Sequence, residues 1–161
     1  MVKRWVVNAS PIISLTKIDR IDLLPKLCDE LIIPQGVADE IQLGGYTDSA
    51  VTWLRAAGRE FIQPAPDIDD RVGNWDLGMG ESQVLSWAIT DAEYEAIIDD
   101  LAARKAAKIL NVPVRGTLAV VVLAKQMGYI QSAKQDLENL IQVGLRVSPK
   151  VLAQALAIIG E

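Results

Sequence analysis

A chain of 161 residues with 50% hydrophobic and 23% charged side chains has the make-up of a folded protein with a sizeable core, which excludes disorder and low complexity. One cysteine excludes an internal disulfide and multi-cysteine zinc sites, and the lack of any histidine excludes His general bases, Ser-His-Asp and Cys-His triads and histidine metal sites. A net charge of −5 argues against general DNA coating, which needs a basic face, but leaves room for a nuclease whose metal ions offset the charge at its site.

The first element is a short buried strand, Arg4 to Asn8, ended by Asn-Ala-Ser-Pro. Its basic pair Lys3-Arg4 precedes an apolar stretch that Asn8, Ser10 and Pro11 cut short, which makes a poor signal peptide. Ser10 is the expected cap of a helix with Pro11 in its first turn and Ile12, Ile13 and Leu15 on its buried face. A short helix from Ile21 to Lys26 follows, with Cys28 after it as a small core residue. Strand two is Glu30 to Ile33, stopped by Pro34; a helix then runs from Gln35 to Leu43 and ends at Gly44-Gly45. Thr47 or Asp48 could cap the next helix, which reaches Ala57 and closes at Gly58. Glu60-Phe61-Ile62 reads as strand three, and Pro64 to Trp75 as a polar loop.

Gly78-Met-Gly-Glu-Ser opens a helix with Val84, Leu85, Ala88 and Ile89 on one face. Ala96-Ile97-Ile98 is strand four and ends in Asp99-Asp100. A helix spans Leu101 to Leu110, strand five Val112 to Arg115, and a long helix starts at Gly116-Thr117 and runs to Met127. Two more helices cover Ser132 to Val143 and Pro149 to Ile159. The last is apolar almost all round; it is either well buried or part of a subunit contact, and the latter makes a homodimer an expectation. Apolar strands alternating with amphipathic helices predict an α/β fold whose parallel sheet is covered on both sides, with right-handed connections. No repeat or linker divides the chain, so residues 1–161 are expected to form one domain. No apolar run approaches the ~20 residues that span a bilayer. With a single thiol, a cytoplasmic protein is the expectation.

In open α/β sheets ligands bind beyond the carboxyl ends of the strands. Asn8 and Ser10 follow strand one, Asp99 and Asp100 strand four, and Arg115-Gly116-Thr117 strand five. Glu40, three residues beyond Val37, lies at the border of its helix's buried face, while Asp39 points away. Glu81 opens a helix just after Gly80. Each has a plain structural explanation as a turn residue, an N-cap or a first-turn acid; shared placement makes the functional case. Several carboxylates within a few ångströms repel one another, and Mg²⁺ or Mn²⁺ relieves that cost, activates a water and offsets charge on a phosphodiester.

The order of motifs resembles the PIN-domain nucleases, and more closely a subgroup of prokaryotic PIN-like proteins. The matching pieces are residues 6–15 (Val-Val-Asn-Ala-Ser-Pro-Ile-Ile-Ser-Leu), 33–41 around Glu40, 77–82 (Leu-Gly-Met-Gly-Glu-Ser), Ile98-Asp99-Asp100 with Ala103-Arg104, Val114-Arg115-Gly116-Thr117-Leu118, and Gly144-Leu145-Arg146-Val147-Ser148. The resemblance implies a three-layer α/β/α sandwich with a central, mostly parallel sheet of about five strands. It implies Mg²⁺- or Mn²⁺-dependent cleavage of RNA, often by toxins of the VapC type held in check by a small antitoxin protein. Glu40 looks like the family's helix glutamate, Glu81 like its second helix acid, and either Asp99 or Asp100 like the strand-end aspartate. Thr117 resembles a hydroxyl residue at the site edge, and Arg104 could touch phosphate, whereas Lys108 reads as solvated surface. Ser10 joins them as a substrate contact. Asn8 stands where the nuclease pattern has its first aspartate. An amide oxygen can ligate Mg²⁺ but is neutral and takes no proton, so the outcome is a slower nuclease or a PIN fold kept for binding nucleic acid or protein.

Other signals fall away. Ser14-x-x-Lys17 lacks the companion motifs of serine acyl enzymes. Gly78-x-Gly80 lacks the third glycine of a dinucleotide loop, since position 83 is Gln. Asp67, Asp69 and Asp70 hint at calcium, but Arg71, Val72 and Gly78 break the EF-hand pattern. The four tryptophans are spread over separate elements and suit core packing better than base stacking.

Overall fold

The computed structural model describes residues 2–44 and 48–161. Five strands, β1 (Arg4–Val7), β2 (Glu30–Pro34), β3 (Ile62–Gln63), β4 (Tyr94–Ile97) and β5 (Val114–Arg115), form one sheet in the order β3-β2-β1-β4-β5. Every pairing is parallel: Val6 lies beside Ile32 and Ala96, Ile33 beside Ile62, and Ile97 beside Arg115. In the central strand Trp5, Val6 and Val7 are all fully buried, the unbroken apolar run expected where both faces of a strand are covered.

Ten α-helices occur among the described residues: α1 (Ala9–Lys17), α2 (Leu23–Leu27), α3 (Gln35–Leu43), α4 (Asp48–Arg55), α5 (Asp70–Gly73), α6 (Met79–Thr90), α7 (Leu101–Ile109), α8 (Thr117–Gln126), α9 (Lys134–Gln142) and α10 (Pro149–Ile159). The chain steps from β1 outward to β2 and β3, then crosses back to β4 and β5. Right-handed crossovers put the helices of these two excursions on opposite faces. α8 returns to pack on α1 and α2, and α9 and α10 pack on α8. The result is an α/β/α sandwich. Because the direction of travel reverses between β1 and β4, a crevice opens at their carboxyl ends, the usual place for a ligand in such sheets.

Several local expectations are corrected. α1 begins at Ala9, so Asn8 takes the N-cap position expected of Ser10, and the Asn8 side chain makes no cap bond. Pro11 still sits in the first turn, where its missing N–H costs nothing. Strand three is shorter and later: residues 59–61 form a 3₁₀ turn, with Phe61 N–H donating to Gly58 O, and only Ile62 and Gln63 pair with β2. Strand five is trimmed to two residues because Pro113 has no N–H; only its carbonyl joins the ladder, accepting from Ala96 N–H at 2.9 Å. The expected polar loop contains α5, nucleated by Asp69, which accepts from Arg71 N–H, and anchored by the buried Val72. Asp48 is the first residue of α4; Gly45 and Thr47 lie outside the described residues.

α10 is less covered than its composition suggests. Ser148 caps it and only Ala155 is buried; Leu152, Leu156 and Ile159 pack partly on the core, while Val151 and Ile158 stay exposed. Cys28 is half-buried, its thiol donating to Leu24 O, and burial pushes its pKa up to about 12, so it is an unreactive thiol. Trp5 is fully buried, and Trp53, Trp75 and Trp87 pack against the core.

Candidate functional site at the carboxyl edge of the sheet

Beyond β1 and β4 lies a cleft of about 1030 Å³, whose walls include Asn8, Glu40, Glu81, Asp99, Asp100 and Arg104. Residues from distant stretches of chain meet there because β1, β4 and β5 deliver their carboxyl ends side by side and α3 packs against α6.

Asn8 is buried at the end of β1. Its backbone N–H donates to Ile97 O at 3.0 Å, extending the ladder by one residue, and its Oδ1 has no hydrogen-bond partner. Gly80, in the first turn of α6, lets that helix approach: a Cβ there would stand 2.8 Å from Glu40 Oε2 and 3.4 Å from Asn8 Oδ1. α3 is itself held in place by Gln83, whose Oε1 accepts from Gly36 N–H at 2.8 Å. Glu81 is the third residue of α6. Its carboxylate bonds back to the Gly78 backbone at the N-cap, half of a capping box, yet its Oε2 is buried without a partner. Burial, the nearby Asp100 carboxyl group and the charge of Glu40 together raise the Glu81 pKa from 4.5 to about 7.

The two strand-end aspartates diverge. Asp99 faces β5 and α8: its Oδ1 accepts from Thr117 N–H at 2.7 Å, and its Oδ2 from Thr117 Oγ1 at 2.6 Å and Ser10 Oγ at 3.3 Å. Asp100 caps α7 through Ala103 N–H at 2.9 Å and turns towards Glu81. Thr117 is thus a fully buried clamp on Asp99 and does not face the cleft, whereas Ser10 is exposed on the cleft wall. Gly116 keeps the floor open; a Cβ there would lie 2.8 Å from Arg104 Nη1 and 3.1 Å from Asp99 Oδ1.

All the sequence-derived site residues except Thr117 line this one cleft. Lys17 and Arg146 line it too and were not singled out. Lys17 was legible: Ser10, Ile13, Ser14 and Lys17 recur at helical spacing on one face of α1. Arg146 belongs to the Gly144–Ser148 segment between α9 and α10, and no local pattern ties that segment to strand ends roughly thirty to 140 residues earlier. Lys17, Arg104 and Arg146 are exposed and form no ion pair among the described residues.

A sequence model of the PIN-domain family matches residues 4–161. The chain belongs to the PIN-domain family. No curated protein matches it significantly. Membership goes with a nuclease-type fold and nucleic-acid binding, and PIN domains generally use divalent metal ions. The donors in this PIN domain fit a hard cation: they are all oxygens, and two of them, Asn8 Oδ1 and Glu81 Oε2, are buried without partners. Among the described residues no three acidic side chains already converge at metal-holding distance. Glu40 and Asp100 are exposed on the cleft wall. No helix among the described residues is long and apolar enough to cross a membrane.

Proposed function

We propose that this PIN domain is a Mg²⁺- or Mn²⁺-dependent ribonuclease that hydrolyses phosphodiester bonds in the cleft. The observation that carries the reading is the pair of buried, partnerless oxygens, Asn8 Oδ1 and Glu81 Oε2, with Glu81 pushed up to about 7 by burial and by Asp100 and Glu40. Such a group of oxygens is costly alone and is relieved by a cation. Asn8, Glu40, Glu81 and Asp100, with Asp99, would hold the ion. When bound, it supplies an activated water and offsets charge on the phosphate.

The chain's own residues do the rest. The burial and the neighbouring carboxylate charge that raise the Glu81 pKa would be offset by a cation held there, which favours its ionised, ligating form. Arg104, Lys17 and Arg146 on the cleft wall offset phosphate charge. Thr117 fixes the Asp99 carboxylate, and the exposed Ser10 hydroxyl can reach a phosphate oxygen. Finer aspects have separate support. A toxin role with a small antitoxin partner rests on the family resemblance, and a homodimer on the exposed Val151 and Ile158 of α10. One domain over the whole chain is supported by the extent of the family match. The lone thiol supports a cytoplasmic setting.

A second reading, a PIN fold that binds without cutting, is favoured by the neutral Asn8 and by the absence of three converging acids among the described residues. Incubating a labelled single-stranded RNA with the protein and Mn²⁺ tests the two. Cleavage that is lost in Glu40→Gln supports the nuclease. Cleavage seen only in Asn8→Asp assigns the wild-type chain to binding.

A further inference from the structure

A second hollow lies beside the cleft, on the flank of the sheet's edge strand. It is about 390 Å³ and is lined by Arg104, Lys105 and Lys108 of α7 over a floor of Val112 and Val114. Arg104 lines both cavities, so it stands on the wall between them. No acidic side chain lines the hollow, and none of its three cations forms an ion pair among the described residues. The chain has 21 acidic and 16 basic residues, and here three of the basic ones share one hollow whose lining holds no carboxylate.

We propose that this hollow is a phosphate-binding subsite for the backbone of a single-stranded nucleic acid leaving the acidic cleft across Arg104. It rests on the nucleic-acid reading of the cleft and adds to it a direction and a substrate length. α7 starts at the carboxyl edge of the sheet with Leu101 and runs down beside β5, so Arg104 comes first and Lys108 one turn later. A strand with one phosphate among the carboxylates would meet Arg104 next and then the two lysines. The hollow's lining carries no aromatic ring, so it would hold backbone and not stack bases, and its contribution should be indifferent to base identity. Its apolar floor keeps the lysine heads at the rim, where phosphates can reach them.

The test is the salt dependence of binding for a labelled oligouridine of about twelve nucleotides, within the span that single-strand grooves cover. The dinucleotide UpU, too short to leave the cleft, is the comparison, and binding is followed in a Glu40→Gln background so that the oligomer stays intact. Each phosphate neutralised contributes about −0.7 to the slope of log K against log salt on a single strand. Replacing Lys105 and Lys108 together by Gln should therefore flatten the oligomer's slope by about 1.4 and cut the affinity lost between 50 and 200 mM salt by about seven-fold. UpU binding should not change, and neither should oligomer binding when the exposed Lys134 and Lys150 are replaced instead. An unchanged oligomer slope in the double variant overturns the subsite and leaves the cleft reading standing. Failure of the parent protein to bind the oligomer at any salt overturns both. Displacement of the oligomer by a polyglutamate peptide of equal charge, abolished in the double variant, would reassign the hollow to an acidic protein segment.

Discussion

Acidic side chains stand at both ends of the sheet, and the two ends treat them in opposite ways. At the amino end Glu30 is approached by Arg4 at 3.4 Å and receives a 2.6 Å hydrogen bond from the Tyr94 hydroxyl, while Glu93 also pairs with Arg4. The Tyr94 hydrogen bond, helped by Arg4, holds the Glu30 pKa below its ordinary value. At the carboxyl end Glu81 has a buried oxygen with no donor, and burial and neighbouring carboxylates drive its pKa up to about 7. The direction of the shift separates the two: lowered where the chain supplies its own counter-charge, raised where counter-charge must come from outside. The amino end is closed chemically, and the carboxyl end is open.

Five substitutions break or sharpen that contrast. The largest effect is expected at the open end, where Glu40→Gln should lower RNA cleavage by about 10²-fold or more, read from initial rates on a labelled oligomer. Next is Thr117→Val, which removes a buried hydrogen bond to the Asp99 carboxyl group. It should cost about 2 kcal/mol of unfolding free energy in urea titrations and loosen Asp99 at the same time. Gly80→Ala should push the Glu40 carboxylate aside, since the new Cβ would stand 2.8 Å from Glu40 Oε2 at the end of a flexible side chain, while Val37 Cγ2 at 3.3 Å and Asn8 Oδ1 at 3.4 Å need give by only a few tenths of an ångström. An approximately ten-fold loss of Mn²⁺ affinity by calorimetry with a nearly unchanged melting temperature would match that.

A smaller effect of opposite sign is expected at Glu81. An acid whose folded pKa is raised is penalised above that pKa and free of the penalty below its unfolded value. Stability from this group is therefore greatest below pH 4.5 and is lost as pH rises through about 7. Glu81→Gln should stabilise the fold at pH 8 by on the order of 1 kcal/mol, after discounting for solvent, and hardly at all at pH 4. Mn²⁺ should raise the wild-type melting temperature more at pH 8 than at pH 5. The smallest effect belongs to the closed end: Arg4→Gln should change cleavage less than about two-fold, because exposed ion pairs contribute little. A large loss there would contradict the division between the two ends.

Much of this was legible along the chain. The unbroken apolar run Trp5-Val6-Val7 and the strand Ala96-Ile97 announced central parallel strands, and the polar residues after them, Asn8 and Asp99, announced the site. Glu40 and Glu81 could be placed by helical spacing from Val37 and by the Gly-x-Gly helix start. What was not legible depended on partners far away in sequence. Whether Asp99 or Asp100 faces Glu81 was undecidable locally, because adjacent residues differ only in what packs beside them. The structure turns Asp99 to the Thr117 clamp and Asp100 to Glu81. Thr117 read as a site-edge hydroxyl for the same reason, although it is fully buried behind the cleft.

Local sequence alone therefore determined most of the elements, with α5 and the placing of β3 as exceptions, since periodicity, capping and proline act over a few residues, and it determined that oxygen ligands are the only hard-cation donors this chain owns. Tertiary structure decided which acids meet, which of them keep an unsatisfied oxygen, and that Arg146 and Lys17 share their cleft while Lys105 and Lys108 stand in a hollow next door. Those outcomes hang on the order of strands in the sheet and the packing of α3 on α6. Both are set by the burial of surfaces from the whole chain at once, which no short window of residues contains.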